Sequence, residues 1–209
     1  MAQPTSPRLY LVTPPAFEAE AFLPLLASVL DAGQPRAEIA CLRLSSAGAG
    51  ETALRRAAEA LRRATEAHDL ALVIENHWRL VEPHGLDGVH LGDGPRGIRE
   101  ARKALGPDRI VGAHCGASRH AGMVAAEFGA DYVAFGPFAH EGALGPERLA
   151  DAELIRWWAE MIETPVVAEG GLSREIIAEL GTAPDFLALG AELWAHPDGP
   201  VAALRALPL

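Results

Sequence analysis

Apolar residues fall along this chain in short continuous runs, and the runs recur roughly every 20–30 residues. They read RLYLV (8–12), EIACLRL (38–44), LALVIE (70–75), GVHL (88–91), RIVGA (109–113), YVAFG (132–136), PVVAE (165–169) and FLALG (186–190). Unbroken apolar runs of this length suit strands buried on both faces, as in a parallel sheet. The intervening segments change to helical periodicity. AFEAEAFLPLLASVLDAG (16–33) ends on a C-cap glycine, and GETALRRAAEALRRATEAH (50–68) sets leucines and alanines opposite arginines. SRHAGMVAAEFGA (118–130) opens on a Ser N-cap and stops at Gly129. DAELIRWWAEMIE (151–163) places Leu154, Trp157, Trp158 and Met161 on or near one face, a stripe suited to core packing. SREIIAELG (173–181) is a short capped helix.

Strand followed by helix, eight times in 209 residues, predicts a lean single-domain (β/α)8 TIM barrel over 1–209. A doubly wound sheet normally closes with fewer strands. No linker or composition shift divides the chain.

Composition narrows the function classes. The chain is 49% hydrophobic and 22% charged, an ordinary globular balance. Its net charge of −10 offers no basic footprint for nucleic acid. No apolar run reaches the roughly 18 residues of a membrane span, and the first residues carry no secretory pattern. The cysteines, Cys41 and Cys115, suggest neither a disulfide framework nor metal spacing. The expectation is a soluble cytoplasmic protein with a small-molecule ligand, with a homodimer left open.

In such barrels the active site lies at the C-terminal ends of the strands. The segments there are SSAGAGE, ENHW, GDGP, HCGASRH, PFAHEG, GGLSRE and AELW. In EGGLSRE, two glycines close a strand and a Ser opens a helix. Exposed N–H groups at such a turn favour a phosphate, and Gly190 after the eighth run lets backbone approach the same ligand. Gly170 and Gly171 equally suit a plain tight turn. Arg43 sits within the second run, where an unpaired buried guanidinium is costly. It pairs with a carboxylate, Glu75 or Glu169, or faces a ligand anion, and alternation puts it on the face of Cys41. Of eight histidines, His114 after the fifth run has the chemistry of a general acid or base. His90 reads as a core residue. His77, His114 and His140 make a metal site only if the fold gathers them. In DGVHLGDGP (87–95), Asp87 and Gly88 read as a turn into the fourth run.

These pieces together resemble the thiamine phosphate synthase family, which includes the thiazole tautomerases. The resemblance runs from LYLVTPP to LGAELW and is clearest in GLDGVHLGD, GADYVAFGPF and TPVVAEGGLS. It implies a barrel enzyme of thiamine biosynthesis. That enzyme joins a hydroxymethylpyrimidine pyrophosphate to a thiazole phosphate, with magnesium, an arginine and a lysine neutralising the pyrophosphate. Carried over by position, Arg43 matches the family arginine and Gly170-Gly171 the phosphate turn. Cys41 replaces a glutamine and Ser45 a lysine. Glu75-Asn76 stands where the family has Asn-Asp, and Asp93-Gly94-Pro95 where it has Gln-Glu-Asp. Both magnesium carboxylates are therefore missing, and no metal ligand is assigned. HEGAL (140–144) replaces a Thr- and Lys-bearing loop.

Three functions follow from the resemblance. The first is a synthase with a remodelled pyrophosphate site in which Arg43, Glu75, Asn76 and Asp93 share the work. The second is a tautomerase-like enzyme using His114 or His120 in the loop after the fifth run. The third is a non-catalytic binder of thiamine phosphate or another phosphorylated small molecule.

Overall fold

The computed structural model describes residues 6–33, 37–47, 49–140 and 148–209. Its strands are β1 (Arg8–Val12), β2 (Ile39–Leu44), β3 (Ala71–Glu75), β4 (Gly88–Leu91), β5 (Ile110–His114), β6 (Tyr132–Phe135), β7 (Val166–Glu169) and β8 (Phe186–Leu189). They pair in sequence order, all in parallel, and β8 returns to β1 to close the barrel. The helices are α1 (Ala19–Ala32), α2 (Glu51–Glu66), α3 (Ile98–Leu105), α4 (Arg119–Glu127), α5 (Ala152–Met161), α6 (Arg174–Leu180), α7 (Ala191–Trp194) and α8 (Pro200–Arg205). The expected (β/α)8 barrel is therefore present.

The strict strand-then-helix alternation has two exceptions. Between β3 and β4 there is no α-helix, only the one-turn 3-10 helices Trp78–Leu80 and Glu82–His84. That connection is short and carries Pro83 and Gly85, which restrict helix propagation. After β8 the crossover is split into α7 and α8 at Pro197 and Gly199.

Alternation along each strand sorts the core into two layers. Leu9, Leu11, Leu42, Leu72, Ile74, Val89 and Val111 face outward and pack in the layer under the helices. Tyr10, Cys41, Val73, Tyr132, Ala134, Val167 and Ala188 face inward and fill the barrel. Gly112 is glycine because a Cβ there would sit 2.0 Å from the Tyr132 ring. The Ser-capped helix starts are as expected, and Asp151 caps α5 in the same way. Ser118 accepts from the Ala121 N–H, Asp151 from Leu154 and Ser173 from Ile176. In α5 the buried face is Leu154, Ile155 and Trp158, and Met161 is 64% exposed rather than in the stripe. The stripe is rotated toward Ile155, which leaves Met161 at its edge in the last turn.

At the N-terminal rim a device repeats. An aspartate just before a strand accepts a backbone N–H from the first two residues of the preceding one. Asp87 takes Leu72 at 2.7 Å, Asp131 takes Val111 at 2.7 Å and Asp185 takes Val166 at 2.8 Å. Arg62 and Arg102 pair with the first two carboxylates. Asp87 is thus structural, as its turn chemistry suggested. Gly88 beside it has no room for a side chain, since a Cβ would meet the Ile110 carbonyl at 2.0 Å. Among the described residues no helix is long and apolar enough to cross a membrane.

Candidate active site at the barrel mouth

The strands end at a pocket of about 250 Å³ whose walls include Arg43, His114, Glu169, Gly170, Gly190 and Glu192. Arg43 belongs to β2 and Glu169 to β7, so the contact between them crosses the barrel. Arg43 Nη1 donates to Glu169 Oε2 at 2.8 Å, and the two side chains are only 10% and 11% exposed. Of the two carboxylates the sequence left open, Glu169 is the partner. Glu75 instead accepts from the Ser46 N–H at 2.9 Å and from the hydroxyls of Ser45 and Ser46, tying down the loop after β2.

Glu169 divides its two oxygens. Oε2 takes Arg43, while Oε1 lies in close contact with His114 Nδ1 without the alignment of a hydrogen bond. His90 Nε2 stands 3.9 Å from the same Oε1. Burial alone pushes the Glu169 carboxyl upward, but Arg43 first, then His114, hold it well below the usual carboxylate range. It is a carboxylate at neutral pH. Burial also opposes the charge of Arg43, and Glu169 more than offsets it. Burial, reinforced by Arg43, pushes His90 well below its usual value, so that imidazole is neutral.

Beneath the pocket the barrel interior carries a polar chain. His90 Nδ1 is 2.9 Å from the Tyr132 hydroxyl, which is 2.8 Å from the Tyr10 hydroxyl. Burial pushes both phenols up, so they stay protonated. His90 is the satisfied core histidine its apolar run suggested. Tyr10 and Tyr132 went unremarked in the sequence. Their signal was a phenol at an inward position of an otherwise apolar strand, where its hydroxyl needs a partner.

Chemically, the mouth offers a charged donor and a proton-transfer group. Arg43 Nε is buried and has no hydrogen-bond partner among the described residues. His114 is partly exposed to the pocket, with its side chain at 28%. With Nδ1 against Glu169, Nε2 is the ring nitrogen left for a ligand. A carboxylate behind an imidazole fixes the orientation of the ring, an arrangement that suits a general acid or base.

Other expected site residues fall differently. His120 is exposed in the first turn of α4 and lines a separate cleft with Ser118, Arg119, Arg148 and Asp151, so it is not gathered at the mouth. Asn76 has a left-handed backbone, φ 59°, and its Oδ1 accepts the Gly92 N–H at 2.7 Å. Asp93, in the turn before Gly94, has no hydrogen-bond or ion-pair partner among the described residues. Gly170 lines the pocket, whereas Gly171 makes room for the loop after β6, since a Cβ there would meet Ala139 at 2.8 Å. His140 is exposed, and Glu141 to Leu144 of the HEGAL loop lie outside the described residues. Among the described residues no group of three or more His, Cys, Asp or Glu could hold a metal ion.

Glu192 was missed. Its Oε1 accepts the Leu172 N–H at 3.0 Å and its Oε2 the Gly190 N–H at 3.1 Å. The carboxylate thus bridges the loops after β7 and β8, where the sequence suggested a phosphate. The available signal was a glutamate in the first turn of a helix, a position from which a side chain reaches back to free N–H groups.

The chain matches the family model described as thiamine monophosphate synthase over residues 9–193. It is 47% identical over 203 residues to the thiamine-phosphate synthase of Rhodospirillum centenum, covering 96% of this chain and 95% of that protein. It is 38% identical over 209 residues to the thiamine-phosphate synthase of Hyphomonas neptunium, covering 95% and 91%. Among solved structures, the thiamine phosphate pyrophosphorylase from Pyrococcus furiosus superposes with a TM-score of 0.80 at 23% identity, over 96% of this chain and 93% of that one. That last likeness speaks to the barrel, while the sequence matches span nearly all of it together with its mouth. This chain belongs to the thiamine monophosphate synthase family.

Proposed function

We propose that the protein is a transferase of the thiamine phosphate synthase type. It joins a pyrimidine pyrophosphate to a thiazole at the C-terminal mouth of the barrel. The observation that carries this reading is Arg43, which matches the family arginine and lines the pocket with its buried Nε unpartnered. Its guanidinium places a permanent, planar cation at the mouth, and such a fork suits a pyrophosphate oxygen. In the reaction the bond between the pyrimidine methylene and the pyrophosphate oxygen breaks, and the electron pair leaves with pyrophosphate. The thiazole nitrogen then forms the new C–N bond.

Family membership implies magnesium, but the residues present do not fit it. Magnesium takes near-octahedral oxygen ligands, with one or two carboxylates among them. Asn76 has committed its oxygen to the Gly92 N–H, and Pro95 has no side-chain ligand. Charge on the leaving group therefore falls to Arg43, with His114 placed to give it a proton. Glu169 holds His114 for this role.

The His114–Glu169 pair also favours a second reading, proton transfer on a thiazole as in the tautomerases. One experiment separates the readings. The purified protein is incubated with both synthase substrates and assayed for thiamine phosphate or thiamine, and for pyrophosphate. A parallel sample holds the thiazole alone in deuterium oxide. Coupled product supports the transferase. Deuterium exchange without coupling replaces it with the tautomerase. Neither activity, with a ligand still bound, leaves a binder.

A further inference from the structure

We propose that His90 is a positioning residue of the mouth. It presents an N–H to Glu169 from beneath and so steadies the carboxylate that orients His114, and Tyr132 fixes the ring proton of His90 on the nitrogen that does this. The proposal rests on the reading that His114 transfers a proton at the mouth.

His90 belongs to β4, is 1% exposed and forms no part of the pocket wall. Its ring stands between two partners. Nδ1 is 2.9 Å from the Tyr132 hydroxyl, and Nε2 is 3.9 Å from Glu169 Oε1. The imidazole is neutral, so one nitrogen carries a hydrogen and the other a lone pair. With the hydrogen on Nδ1, a bare Nε2 would turn its lone pair toward a carboxylate. With the hydrogen on Nε2, the N–H dipole points at Glu169. The separation is longer than a hydrogen bond, so the attraction is that of a dipole for a charge, which counts because burial leaves little solvent to screen it.

The phenols favour the same choice. Tyr132 lies between His90 Nδ1 and the Tyr10 hydroxyl, which is 2.8 Å away. Both phenols stay protonated, so each has one hydrogen to donate. With Nδ1 bare, Tyr10 donates to Tyr132 and Tyr132 to His90, and each hydrogen meets a strong acceptor. With Nδ1 protonated the chain reverses, and the Tyr10 hydrogen is left with the thiol of Cys41, a weak acceptor. The chain thus runs one way, from Tyr10 through Tyr132 and His90 to Glu169. Its use follows from Arg43. The guanidinium donates to Glu169 Oε2 and also faces the pocket, so a pyrophosphate and Glu169 share it. Oε1, the oxygen against His114, has the His90 N–H on a side that no ligand reaches. A carboxylate steadied from beneath keeps the imidazole aimed while Arg43 serves the ligand.

The test reads the ring proton of His90 by nitrogen NMR on protein carrying isotope-labelled histidine at neutral pH, with His90→Gln assigning the signals. The wild type should hold the proton on Nε2. Tyr132→Phe removes the hydroxyl that ties Nδ1, so the single tautomer should give way to a mixture. In that variant kcat for coupling should fall about 10–100-fold. KM for either substrate should change by less than about twofold, because His90 meets no ligand. A merely structural loss would lower the melting temperature without moving the ring proton or separating kcat from KM. His90→Gln keeps a side-chain N–H and should retain more activity than His90→Leu, which covers the case in which Tyr132→Phe folds poorly. A wild-type proton on Nδ1, wild-type kcat in Tyr132→Phe, or equal activity in the two His90 variants overturns the proposal. The coupling reading is judged separately. If the wild type exchanges thiazole deuterium without coupling and the variants rank in the same order by exchange, the role of His90 stands and the transferase falls.

Discussion

Replacing Glu169 by Gln removes one charge from a pair that crosses the barrel and leaves Arg43 in place. The structure decides the size of the effect. An exposed ion pair is worth about 0.2–1 kcal/mol, whereas removing one partner of a buried pair costs about 3–5 kcal/mol because the remaining charge is stranded. With side chains 10% and 11% exposed and a 2.8 Å contact, Arg43 and Glu169 belong to the second class. In a chain of 209 residues, each kcal/mol shifts the melting temperature by about 2–4 °C, so the loss should be about 6–20 °C at pH 7. Urea denaturation and calorimetry read it. The pH dependence has a fixed sign. Glu169 is held below its unfolded value, so its contribution is present above the unfolded pKa of about 4.3. It is lost as pH falls through the lower folded value. The gap between wild type and variant should therefore be full at pH 7 and close in strong acid. The double variant Arg43→Met, Glu169→Leu should recover most of the loss, since no charge is then stranded. A cost below about 1 kcal/mol, or a gap that widens in acid, would refute the picture of a buried, compensated pair.

Three further outcomes are expected. His114→Asn should lower turnover or deuterium exchange by about 10²–10⁴-fold with little change in melting temperature, and full activity in the variant would remove His114 from the chemistry. Thermal unfolding with pyrophosphate should show stabilisation that depends little on magnesium, and strong stabilisation only with the metal would restore a magnesium site. Asp131→Ala should cost about 1–3 kcal/mol by orphaning the Val111 N–H, measured by urea denaturation. Asp131→Asn, which keeps an acceptor, should recover part of it.

The fold was legible because both of its layers are written locally. A strand buried on both faces shows as an unbroken apolar run, and the next helix announces itself by its period and its Ser or Asp cap. The exception lay between β3 and β4, where a short Pro- and Gly-bearing stretch was counted as a helical unit by the regularity of its neighbours. The mouth was legible in part. Arg43 was singled out because a guanidinium inside an apolar strand demands a partner, yet the choice of Glu169 over Glu75 required knowing that β7 faces β2 across the barrel. Run spacing carries no such information. His120 and His114 looked equivalent in sequence, but a helix turn carries His120 outside the mouth. Glu192 was hidden, and Asn76 was expected at the ligand rather than on the Gly92 N–H, for a different reason. Each acts on backbone N–H groups, and backbone demand is invisible in a list of side chains.

The aspartates at the N-terminal rim have a consequence for how this barrel tolerates change. Asp87, Asp131 and Asp185 clasp neighbouring strands at their base. Arg43, Glu169 and His114 occupy the opposite ends. Strands of four to six residues put roughly 13–20 Å between the two rims at about 3.3 Å per residue. Clasp and chemistry thus share no atoms and almost no neighbours. Side chains at the top can change without loosening the alignment set below. The barrel is in this sense a vessel with a riveted base and an exchangeable lip. New loops grafted at the lip inherit strand alignment from the base, so recruiting the chain to a different ligand is a problem of loop design and leaves the folding problem already solved.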